Sequence, residues 1–108
     1  MISEEQVYES DVILYWDDDG CMRALGIVYD RDFDIAPRIT WKATGLEAFR
    51  GIWISRGAEI ATRHLKMTCD LYRKCLTGDY IPEEYYDAMA KVLVKVYVEF
   101  ANRRKESE

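Results

Sequence analysis

The stretch VILYWDDDGCMRALGIVY, residues 12–29, decides the fold class of this chain. It holds two apolar runs with four turn-forming residues between them. In the first run Val12, Leu14 and Trp16 alternate with Ile13 and Tyr15, and successive side chains of a strand point to opposite faces. In the second, Cys21, Arg23, Leu25, Ile27 and Tyr29 alternate with Met22, Ala24, Gly26 and Val28. Two such runs around DDDG predict an antiparallel hairpin. Gly20 provides the positive φ that the loop needs at no steric cost.

Working outward, residues 1–9 are polar and are expected to fray. The segment DRDFDIAP, residues 30–37, reads as a loop. Residues 38–43 alternate again, with Ile39, Trp41 and Ala43 on one side and Arg38, Thr40 and Lys42 on a wet side. TGLE at 44–47 matches a capping box and predicts a short helical turn. GIWIS at 51–55 reads as a short fourth strand. From Ser55 to Leu76 the period turns helical, with Ile60, His64, Met67, Leu71 and Cys75 on one stripe. Gly78 suits its C-terminal cap. Pro82 opens a second helix. Its acids, Glu83, Glu84 and Asp87, lie at the positive end, and Arg103, Arg104 and Lys105 at the negative end. Residues 92–100, VLVKVYVEF, also alternate like a strand, and valine favours sheets; the end charges favour helix. The expected product is one α+β domain over 1–108, with 103–108 a polar tail. It has an antiparallel sheet of three to four strands and two C-terminal helices packed on one face.

The composition is ordinary for a globular domain, 49% hydrophobic and 32% charged. No apolar run approaches the roughly 20 residues of a membrane-spanning helix. The N-terminus lacks the basic and apolar regions of a signal peptide, so a cytoplasmic location is expected and no membrane contact. The three cysteines, Cys21, Cys69 and Cys75, then read as reduced thiols. The net charge of −5 is uneven: residues 1–36 carry −8, residues 37–81 carry +4 and residues 82–108 carry −1.

Seven acids fall between Asp11 and Asp34. Asp30, Asp32 and Asp34 mimic the start of a calcium loop, but Ile35 and Trp41 stand where such a loop needs Gly and Glu. No metal or cofactor is expected. His64 and Cys75 are eleven residues apart, roughly 16 Å along a helix, too far for one zinc ion. No nucleophile elbow or phosphate loop occurs, so an enzyme, whether metal-dependent or built on a Cys21–His64 pair, is not the expectation. A basic and aromatic stretch, Arg38 to Arg63 with Trp41 and Trp53, suggests nucleic-acid binding, yet the acidic chain opposes phosphate.

The function these features predict is a non-catalytic protein–protein interaction module. Asp17, Asp18, Asp19, Asp30, Asp32 and Asp34 would form an acidic edge for a partner with a basic surface, with Trp16 and Tyr29 as aromatic anchors. Its sharpest form is an acidic inhibitor of a host nuclease or defence complex, of the kind a phage or mobile element carries. The apolar width of the last helix predicts self-association into a homodimer through Val94, Tyr97 and Val98.

Overall fold

The computed structural model describes residues 1–107, with side chains to residue 103. The side chains expected to form a polar tail, from residue 104 on, lie outside the described residues. The elements run α1 (Glu4–Tyr8), β1 (Val12–Asp18), β2 (Cys21–Val28), β3 (Arg38–Thr44), α2 (Gly45–Gly57), β4 (Ala61–His64), α3 (Met67–Lys74) and, after a short 3-10 turn, α4 (Tyr86–Ser107).

β1 and β2 form the expected hairpin, in register from Val12 opposite Ile27 to Asp18 opposite Cys21. The loop is Asp19–Gly20, and both residues have positive φ, 53° and 83°. Asp-Gly is a preferred pair for such a two-residue hairpin loop. The N-terminal residues, expected to fray, include the short helix α1. Ser3 accepts from the Gln6 N–H, the Gln6 side chain accepts from the Ser3 N–H, and this capping box starts α1. Residues 92–100 are helical throughout.

The sheet has the order β3-β2-β1-β4 and is mixed, because β4 runs parallel to β1. The expectation of a wholly antiparallel sheet is therefore corrected. So is the layering. Helices cover both faces. One face buries Ile13, Ala24, Trp41 and Ala43 with Val7 of α1 and Ala48 and Ile52 of α2. The other buries Val12, Leu14, Leu25, Ile27 and Ile39 with Leu71 of α3 and Met89, Leu93 and Val96 of α4. A hairpin apolar on both faces needs both layers. Residues 51–55, read as a strand, lie inside α2, and the long helix expected over 55–76 is β4 followed by α3.

β3 departs from simple alternation. Gly26 pairs with Trp41 but Ile27 pairs with Ile39, leaving Thr40 as a bulge. One extra residue reverses the parity of a strand. Ile39 and Trp41 therefore enter opposite cores, and no wet face remains. Thr40 is buried, with its hydroxyl 2.6 Å from the Ser10 hydroxyl. Lys42 points over α3, donating to the Tyr72 carbonyl at 2.9 Å and lying 4.3 Å from the Tyr72 ring centroid.

Candidate docking surfaces

The aspartates do not form one surface. Asp17–Asp19 lie at one end of the hairpin and Asp30–Asp34 follow its other end. The eight residues of β2 between them span about 25 Å of strand. Three of the six carboxylates, those of Asp18, Asp30 and Asp34, serve local structure. Asp18 pairs with Arg23 at 3.3 Å. Asp34 pairs with Arg38 at 3.6 Å and accepts the Asp30 N–H at 3.1 Å. Asp30 accepts the Asp32 N–H at 3.0 Å, the usual work of Asp in a turn. Asp17, Asp19 and Asp32 stay exposed. Among the described residues no three metal-ligating side chains converge.

Asp11 is the acid with the most altered chemistry. It accepts the Tyr29 N–H at 2.9 Å and the Tyr97 hydroxyl at 3.5 Å. Burial pushes its carboxyl above the usual range, against the lowering effect of the Tyr29 N–H and the Tyr97 hydroxyl. Burial and the Asp11 charge in turn push the Tyr97 phenol up.

The expected anchors are separated too. Trp16 is half-buried and stacks on His64, with ring centroids 4.4 Å apart. Tyr29, at the far end of β2, packs on the core, and its carbonyl accepts the Tyr97 hydroxyl at 3.4 Å. His64, expected inside a helix's apolar arc, is instead an exposed residue ending β4, because that helix does not form. Cys69 and Cys75 are buried, and burial pushes both thiols up, away from thiolate. Of the association residues, Val94 and Val98 face outward on α4, while the Tyr97 hydroxyl is engaged by Asp11 and Tyr29.

The basic and aromatic stretch is dispersed. Trp41 is wholly buried. Arg38, Lys42, Arg50 and Arg63 hold Asp34, the Tyr72 carbonyl, Glu47 with the Ile2 carbonyl, and Glu99 respectively. Trp53 belongs to a different feature. With Leu46 and Phe49 it forms a ridge along the outer side of α2, at 87%, 54% and 81% exposure for Leu46, Phe49 and Trp53. Their i, i+3, i+7 spacing puts them on one stripe. That spacing is visible in the sequence, but reading residues 51–55 as a strand hid it. Phe33 and Ile35 add a second exposed apolar pair on the β2–β3 loop. Exposed apolar side chains grouped in this way mark interaction sites more often than chance surface does. No described helix is long and apolar enough to cross a membrane.

Solved structures share this architecture. The cytoplasmic domain of FlhB from Shewanella putrefaciens superposes with a TM-score of 0.80 and 25% identity, over 87% of this chain and 73% of that one. Two crystal forms of a mutated EscU C-terminal domain share the fold, with TM-scores of 0.79 and 0.78 at 17% and 18% identity. They match over 86% of this chain in each case, and over 84% and 97% of those chains. No curated protein matches the chain. The sequence matches the FlhB HrpN YscU SpaS family over residues 4–96, a family of secretion-export proteins. That match overturns the expectation of an acidic inhibitor of a nuclease or defence complex, and of a phage or mobile-element protein. From α1 into the middle of α4, the chain belongs to the FlhB HrpN YscU SpaS family.

Proposed function

We propose that this chain is a docking domain of an export apparatus. It works on the cytoplasmic side, as the FlhB domain it resembles does, and holds other secretion proteins without catalysing a reaction. The observation that carries this reading is the family match over residues 4–96. The exposed ridge Leu46, Phe49 and Trp53 supports it, because so much solvated apolar surface suits a protein partner. The non-catalytic part rests on the chemistry of the candidate groups. His64 is stacked on Trp16 with the tilted Tyr15 ring nearby, and Cys69 and Cys75 are buried with raised pKa values.

Two finer readings of the partners belong here. A partner with a basic surface would meet Asp17 and Asp19 at one site or Asp32 at another, never all six acids together. Self-association would use Val94 and Val98, with the Tyr97 ring between them. The test is co-purification of the tagged chain from its own cells after cross-linking. Secretion proteins are expected in the eluate, and fewer of them with Leu46→Asp and Trp53→Asp. Recovery of no secretion protein with the unmodified chain would refute the reading.

A further inference from the structure

The two edges of the sheet are treated differently. The β3 edge is covered by the chain's own backbone. The Ile39 N–H donates to the Asp79 carbonyl at 2.8 Å, the Gly78 N–H to the Ile39 carbonyl at 2.8 Å, and the Ile81 N–H to the Pro37 carbonyl at 2.9 Å. β4, at the other edge, pairs with β1 alone. In a parallel pair alternate residues of an edge strand turn both backbone groups away from the partner. The Leu65 N–H donates to the Tyr15 carbonyl, so the outward residues are Thr62 and His64. The Thr62 carbonyl indeed accepts from the Arg63 guanidinium at 2.9 Å.

Two clefts open along this edge, and both include Glu59, Ile60, Ala61 and Arg103. The first, about 380 Å³, has an apolar floor of Ile60, Ala61, Val96 and Phe100. The second, about 470 Å³, is lined by Thr62 with Arg56 and Arg63. A strand laid along β4 would send alternate side chains to the two sides.

From this geometry we infer that the β4 edge receives an extended segment of a partner protein, which adds to the sheet as a fifth strand. Main-chain hydrogen bonds to Thr62 and His64 hold it, and side-chain clefts select it. The selected segment alternates apolar residues, for the Ile60–Phe100 cleft, with an acidic one, for Arg56, since Arg63 is already paired with Glu99. The inference adds a surface and a partner chemistry to the docking reading and rests on it.

A displayed library of random ten-residue peptides, selected on the whole chain, tests this. The enriched peptides are expected to alternate apolar residues with an acidic one and to bind more weakly in high salt. The best of them should perturb the Thr62 and His64 amide signals of the ¹⁵N-labelled protein. Methylating alternate backbone nitrogens of the peptide should weaken binding at least tenfold. Thr62→Pro should do the same with an unchanged thermal melt, since the lost N–H is not part of the β1 ladder. An empty selection overturns the inference, as does binding indifferent to peptide methylation. So does concentration-dependent pairing of the β4 amides without peptide, which would assign the edge to a second copy. If Thr62→Pro still recovers its secretion partners from cells, strand addition falls and docking stands. If the unmodified chain recovers none, the docking reading itself fails.

Discussion

Gly51→Ala puts two physical effects in opposition and lets the structure decide between them. Gly51 lies inside α2, where alanine is favoured over glycine by about 1 kcal/mol. Propensity alone therefore predicts stabilisation. A Cβ built at Gly51, however, would strike the Trp41 indole: it would overlap Cη2 and lie 2.8 Å from Cζ3 and 2.9 Å from Cζ2. Carbon atoms pack comfortably at about 3.5–4.0 Å, so the ring or the helix must move by the better part of an ångström. Trp41 has little room to do so. It is wholly buried, and its Nε1 edge faces Gly26 at 2.5 Å from where a Cβ would stand there. Overpacking of this kind costs typically 1–3 kcal/mol. With the indole wedged at both ends the upper part of that range applies, and the net loss is about 1–2 kcal/mol. For a domain of this size that lowers Tm by very roughly 4–15 °C. Urea and thermal unfolding followed by far-UV circular dichroism measure it. Gly57→Ala in the same helix is the control, since nothing lies within 4 Å of its added Cβ; it should be neutral or slightly stabilising. The cost of Gly51→Ala should shrink when Trp41 is first shortened to leucine, a coupling that a double-mutant cycle reads directly. If Gly51→Ala is as stabilising as Gly57→Ala, the close packing of α2 on Trp41 is wrong.

Other predictions follow from single sites. Gly26→Ala should unfold the domain or nearly so at 37 °C, because its Cβ would collide with Ser10, Thr40 and Trp41 at once; soluble yield and the thermal melt check this. The raised pKa of Asp11 means that the folded state holds its proton to higher pH than the unfolded chain does. Stability from this group is therefore full at low pH and is lost as pH rises from the unfolded to the folded pKa. Asp11→Asn should remove that loss, so the Tm difference between variant and parent should grow in the variant's favour between acidic and neutral pH. Trp53→Ser, on the exposed ridge, should change stability by no more than about 0.5 kcal/mol in urea unfolding while reducing the recovery of secretion partners.

What could be read from sequence was what neighbours along the chain decide. The β1–β2 hairpin needs two alternating runs and one Asp-Gly loop, all within 17 residues, Val12 to Val28. The last helix was legible for the same reason: its acids lead and its bases trail, and these opposed the strand-like alternation of residues 92–100 locally. The acidic groups were visible as residues but not as roles. Only coordinates assign Asp18 to Arg23, and Asp30 and Asp34 to building a loop.

Residues 60–64 mark the limit. Ile60 and His64 fit a helical stripe, and nothing within four residues forbids a helix there. The segment becomes a strand because β1, some 49 residues earlier in the chain, offers Val12 to Tyr15 as a parallel partner. Once Ser55 to Ile60 closes α2, the chain is delivered to that edge. The Thr40 bulge is similar: Trp41 and Ile39 share a face by counting and occupy opposite cores in fact, because pairing with Gly26 and Ile27 absorbs one extra residue. Local periodicity fixes which side chains can share a face when an element is regular. Which element forms, and which core each face enters, was decided by partners distant in sequence, since burial of apolar surface rewards contacts without regard to chain separation.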